Sequence, residues 1–142
     1  MGPLIRRIFT LLFAATALRH GVFPTSADGA AAAAVVLAKA APAWTWGAWV
    51  ELAAAAAVTA ETKIVGFTLE NFVGVVAQGE VAIASGAGGA EVELGRYNSA
   101  GSPFLLPDPL YVPNATRLSA RYRNANAVAD SVAMKLMTET AF

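Results

Sequence analysis

The chain has 142 residues, enough for one domain of ordinary size and an extra segment. Hydrophobic residues make up 56% and charged residues 14%, against ~25% charged in a typical soluble domain, so much of the surface is uncharged and suits burial among neighbouring subunits. The formal net charge of zero lacks the basic excess of a nucleic-acid-binding protein; the absence of cysteine excludes disulfides and thiolate zinc sites, and His20 is the only histidine for any metal site or Ser-His-Asp triad.

Residues 1–24 place Arg6 and Arg7 before an apolar run from Ile8 to Leu18. The run is shorter than the ~20 residues of a transmembrane helix, so no membrane span is expected. Two readings stand. In the favoured one the segment is an arm that docks on a neighbouring subunit through Leu4, Ile5, Ile8, Phe9, Leu11, Leu12 and Phe13. In the other it is a secretory signal, with a basic flank, a short apolar stretch and a small-x-small site at Ala15-Thr16-Ala17. Arg6-Arg7-Ile8-Phe9 also looks like a twin-arginine export core. An Ala-rich stretch follows. Ser26 or Asp28 could cap a helix over 29–40 that Pro42 would stop; the alternative is an extended strand over Val35–Ala41. The expected organisation is an arm and connector over 1–43 and a β-sandwich over 44–142.

From Trp44 the pattern changes to strands. Trp46–Leu52 is aromatic and β-branched and predicts a strand. Ala53–Ala60 is a low-complexity bridge. Thr62–Leu69 predicts a second strand with Val65, Phe67 and Leu69 on one face. Gln78-Gly79 interrupts the next apolar stretch, after which Val81 and Ile83 point one way and Glu80 and Ala82 the other. Ser85–Gly89 is a strong turn signal. Glu91–Leu94 alternates, with Val92 and Leu94 inward and the glutamates outward. Three prolines in Phe104–Pro113 predict a position at a sheet edge or between sheets. Arg117–Arg123 sets Leu118, Ala120 and Tyr122 against Arg117, Ser119, Arg121 and Arg123. A last strand over Ser131–Thr138 turns Val132, Met134 and Leu136 inward. Seven or eight short strands separated by turns predict an all-β, antiparallel sandwich or barrel.

The order of four segments carries a resemblance: Gly-Ala-Trp-Val-Glu-Leu (47–52), an apolar strand ending Leu-Glu-Asn (69–71), Ala-Ser-Gly-Ala-Gly-Gly-Ala-Glu-Val (84–92) and Pro-Leu-Tyr-Val-Pro-Asn-Ala-Thr-Arg-Leu-Ser-Ala-Arg (109–121). The pattern resembles small virion structural proteins of tailed bacteriophages, over roughly Trp44–Met137. The resemblance implies a jelly-roll-like sandwich with a structural role in a virion head, neck, fibre or tail. The chain departs from the family's Pro-Ala-Gly-Thr turn, reading Pro113-Asn114-Ala115-Thr116; Asn tolerates the left-handed conformation such a turn needs.

The candidate sites each carry an ordinary alternative. Arg117, Arg121 and Arg123 share a strand face, either as a solvated face paired with Glu91 and Glu93, as a contact to carboxylates of a neighbouring subunit, or as a site for anionic groups. Trp44, Trp46 and Trp49 are core, edge or interface residues, or a platform for sugar rings; on a strand Trp44 and Trp46 share parity and Trp49 is opposite. Glu91 and Glu93 have the spacing of a retaining glycosidase pair but no pocket signal. Asp108 and Asp130 lack a clustered calcium loop, and Ser85–Gly89 lacks the lysine of a phosphate loop. No catalytic site, metal or cofactor is therefore expected. The expected protein is a virion subunit forming a symmetric homo-oligomer, trimer or higher, with other virion proteins as partners and Trp44, Arg117, Arg121 and Arg123 at interfaces. The alternatives are a module binding cell-surface glycan and an exported bacterial sandwich protein.

Overall fold

The computed structural model describes residues 18–24, 33–73, 78–98 and 103–141. Nine strands run through them: β1 (Leu18–Phe23), β2 (Val35–Ala38), β3 (Val50–Ala53), β4 (Thr62–Val73), β5 (Gly79–Ser85), β6 (Val92–Asn98), β7 (Phe104–Val112), β8 (Leu118–Asn124) and β9 (Ser131–Ala141). A single 3₁₀ turn, Ala55–Ala57, lies in the Ala-rich bridge between β3 and β4. All pairings are antiparallel. One sheet has the order β1-β9-β4-β7, with β2 also paired to β9; the other has the order β3-β8-β5-β6. If β1 and β2 are taken as two halves of one strand, this is the strand order of a jelly roll, in which the chain crosses repeatedly between two facing sheets.

The sandwich therefore takes in residues N-terminal to 44. β9 has a free ladder edge, and β1 and β2 pair along it in succession, from Leu18 opposite Ala141 to Ala38 opposite Ser131. The expected boundary between 43 and 44 falls inside the domain. Within 35–38 the strand reading prevails over the helix: Val35 and Val36 are β-branched, and Leu37 is fully buried in the core. Ala-rich helix propensity is a weak preference that such pairing overrides. The rest of the expected helix, up to residue 32, and the arm residues Leu4, Ile5, Ile8, Phe9, Leu11, Leu12 and Phe13 lie outside the described residues.

The core forms where the two sheets face each other. Leu118, Ala120 and Tyr122 of β8, Val81 and Ile83 of β5, and Val132, Met134 and Leu136 of β9 are all buried there, as their alternation predicts. Each such large apolar side chain contributes roughly 1.5–3 kcal/mol through burial. Three rings join the layers: Phe67 stacks on Phe104 at 5.0 Å, and Tyr97 from the opposite sheet packs against them at 6.2 and 5.9 Å. Two expected core positions are displaced. A bulge between Ile64 and Gly66 leaves Val65 half-buried and puts Ile64 in the core instead. Val92 opens the edge strand β6, opposite the last residue of β5, and is 64% exposed.

A buried lysine ties the segment between β2 and β3 to the segment before β9. Lys39 is 3% exposed. Its ammonium donates to the carbonyl oxygens of Ala40 (2.9 Å), Asn126 (2.7 Å) and Val128 (2.7 Å), with Pro42 farther off at 3.5 Å. Its backbone N–H donates to the carbonyl of Asp130 at 2.8 Å. Beside it, the Asp130 carboxylate accepts from the amides of Asn124 (2.8 Å) and Asn126 (2.6 Å). Those two bonds, with the Lys39 charge adding to them against the effect of burial, hold the Asp130 carboxyl below its usual range. This lock fixes the chain that leads into the tryptophan segment.

Candidate functional site: an arginine, glutamate and tryptophan face

The outer face of the four-stranded sheet is built by β8 and its neighbours. Arg121 lies opposite Ala82, and Ala82 lies opposite Arg96 on β6; Arg123 lies opposite Glu80. Alternation thus puts Arg121, Arg123, Arg96 and Glu80 on one surface, with Ala82, Ala84 and Ser119 buried beneath. The small side chains on that face leave room for the long ones to lie flat.

Every arginine of this face is paired within the chain. Arg117 donates to Glu51 at 2.7 Å, to Glu91 at 3.2 Å and to the carbonyl of Gly86 at 3.1 Å. Arg121 reaches Glu93 at 3.2 Å, Arg96 reaches the same carboxylate at 3.0 Å, and Arg123 donates to Glu80 at 2.6 Å. Four guanidiniums (96, 117, 121, 123) thus face four carboxylates (51, 80, 91, 93). The charges balance, and the face offers no positive field for a polyanion.

Arg117 joins three of the four segments that carry the sequence resemblance: Glu51 comes from the first, Gly86 and Glu91 from the third, Arg117 itself from the last. The Glu91 carboxyl is held below its usual range by its own backbone N–H, opposed by burial and reinforced by Arg117 and the Gly89 N–H. Burial pushes the Glu93 carboxyl up, but Arg96 and Arg121 outweigh it and leave it lowered. Bonds from Glu51, then Glu91, raise the Arg117 guanidinium against the effect of burial. Glu91 and Glu93 are therefore ion-pair partners of arginine.

The tryptophans do not follow strand parity. Strand β3 begins only at Val50, and Trp44–Trp49 runs irregularly alongside β8, with Trp44 N–H donating to Asn124 O (2.7 Å) and Gly47 N–H to Tyr122 O (3.1 Å). A Cβ on Gly47 would collide with the carbonyl of Ala38, so the glycine of the first motif is a requirement of close backbone approach. Freed from alternation, all three indoles gather over the arginines. Arg121 lies between Trp49 (4.2 Å) and Trp46 (4.6 Å); Arg123 lies 4.4 Å from Trp46 and 5.7 Å from Trp44; Arg96 is 5.2 Å from Trp46. Such contacts contribute about 0.5–1 kcal/mol each at exposed sites and more when desolvated. Trp46 and Trp49 are half-buried, while Trp44 is 41% exposed.

The structure brings Trp44, Arg117, Arg121 and Arg123 onto one face. His20 lies away from it, in β1 opposite Glu139 of the other sheet. Sequence reasoning missed Glu51, Glu80 and Arg96 as members; the direction of Glu80 on its predicted strand, opposite to Val81 and Ile83, was the one available signal, and the strand pairing supplies the rest. Among the described residues no group of three His, Cys, Asp or Glu could hold a metal, and no helix is long and apolar enough to cross a membrane. No family model matches the chain, and no curated protein matches it.

Proposed function

We propose that this chain is a structural subunit of a tailed-phage-type virion, without catalytic activity, which assembles with copies of itself and with other virion proteins. The observation that carries the reading is the convergence at Arg117: this side chain holds together three of the four segments that resemble phage virion proteins. The pattern then encodes a rigid sandwich corner, as a building block needs. Jelly rolls serve in capsids and in other proteins alike, so the resemblance and not the fold gives the direction. The opposite sheet supports the same reading, because its edge strand β7 presents Leu105 and Tyr111, 70% and 67% exposed.

In this reading residues 1–17 dock on a neighbouring subunit, and each apolar Å² they bury contributes about 25 cal/mol, repeated around a closed ring. The test is mass spectrometry of purified particles carrying either the full chain or a variant lacking residues 1–17, which retains β1. The full chain is expected in particles and the shortened one at strongly reduced copy number. Absence of the full chain from particles overturns the virion reading; equal incorporation of both overturns the arm.

A further inference from the structure

Trp44 occupies an unusual backbone position. Its φ is +58°, a left-handed conformation that bulky residues rarely adopt. The turn that imposes it is clamped on both sides: Thr45 N–H donates to Pro42 O at 3.3 Å, Trp44 N–H to Asn124 O at 2.7 Å, and Arg123 donates to Trp44 O at 3.4 Å. Strained positions of this kind persist where the surrounding structure enforces them, and they cluster at ligand clamps. Here the outcome is a fixed backbone that carries an indole 41% exposed.

The exposed indole borders a cavity of about 180 Å³, lined by Trp44, Gln78, Gly79 and Asn98. Gln78 and Asn98 are exposed, whereas Gly79 is buried and contributes no side chain. Among the described residues the lining has no charged side chain. The nearby guanidinium of Arg123 is committed to Glu80 at 2.6 Å. Among the described residues an anion would find no free cation here. A flat apolar ring beside two side-chain amides suits a ligand with one apolar face and a rim of hydroxyls, since each amide both donates and accepts. The volume is below the roughly 300–1,000 Å³ of sites for drug-sized ligands, and suits one ring.

From this geometry we infer that the Trp44 cavity binds a neutral pyranose ring, with the indole stacked on the C–H face of the sugar and Gln78 and Asn98 bonded to its hydroxyls. The site goes beyond the structural role proposed above and does not depend on it: a chain absent from virions would retain it.

The test uses the full chain on an array of neutral and acidic pyranosides, followed by titration of the strongest neutral sugar under ¹H–¹⁵N NMR. The expected result is saturable binding of a neutral sugar, with shifts in the Trp44 indole N–H and in the Gln78 and Asn98 side-chain amides. Trp44→Asn keeps a residue that tolerates positive φ and is expected to abolish binding while the circular dichroism spectrum is retained. Should that variant fold poorly, Gln78→Ala, a change at an exposed side chain, is expected to weaken binding by roughly tenfold. An array with no bound sugar, binding confined to acidic sugars, or undiminished binding by a folded Trp44→Asn or Gln78→Ala variant overturns the assignment.

Discussion

Replacing Lys39 by Met tests whether the carbonyl cage is a net stabiliser. Met nearly preserves the volume of the side chain and removes all its donors. Three short bonds, to Ala40, Asn126 and Val128, disappear, and three carbonyls in a partly buried setting lose their partner. At about 1 kcal/mol each the loss is about 3 kcal/mol. Relief from holding an ammonium at 3% exposure offsets part of it, leaving a net destabilisation of about 2–3 kcal/mol. A domain of this size has about 5–15 kcal/mol in total, so Lys39→Met is expected to fold and to unfold early. Urea denaturation followed by tryptophan fluorescence reads this directly: with a slope of about 1–3 kcal/mol/M, the midpoint drops by about 0.7–3 M at unchanged slope. A midpoint within experimental error of the parent would refute the reasoning and mean that desolvation of the ammonium cancels its three bonds.

Three further expectations follow from the backbone and the charges. Ala115 has a φ of +56° at the turn position where the resembling family has glycine, so Ala115→Gly relieves about 1–2 kcal/mol of left-handed strain against about 0.4–1 kcal/mol of added chain entropy; a rise in the urea midpoint is expected, and a fall would show that the turn is unstrained. Gly47→Ala forces a Cβ into the Ala38 carbonyl and is expected to lower stability by about 1–3 kcal/mol or more, so an unchanged melting temperature would contradict the close approach of the two segments. Glu91, Glu93 and Asp130 all have folded-state pKa values below their ordinary 4.5, 4.5 and 3.8. Their contribution is fully present above those ordinary values and is lost as pH falls through the lowered ones. Thermal unfolding between about pH 3 and pH 7 is expected to show a plateau that declines in acid below about pH 4.5, and a flat profile would count against the ion-pair network.

Strict alternation made most of the sandwich legible. β5, β8 and β9 carry their core residues where period two places them, and β7 lies at an edge, one of the two positions its prolines predict. The misreadings arose where tertiary context overrides local pattern. At 35–38 the sequence leaves helix and strand open, because the partner that decides for a strand, β9, lies almost a hundred residues away. At Val65 a bulge exchanges the faces, and no residue type announces it. At Trp44–Trp49 the indoles look like strand residues, yet the backbone is irregular because Gly47 admits the Ala38 carbonyl. The turn at Asn114-Ala115 was expected to use Asn for its left-handed residue, but that conformation falls on Ala115. The arginine stripe was legible as a face; its partners Glu51 and Glu80 required knowledge of which strands become neighbours.

β9 pairs with β4 along one side and with β1 and β2 along the other, at the centre of its sheet. On a ribosome, then, residues 18–38 emerge early and wait for residues 131–141 before any ladder can form on them. The five-stranded sheet can close only after synthesis has passed the last of those residues. Chains interrupted before that point carry unmatched strand edges, the condition under which β proteins associate wrongly. Production of this protein is thus sensitive to premature termination within β9, and a nascent-chain series would show protease resistance appearing abruptly once that strand has left the exit tunnel.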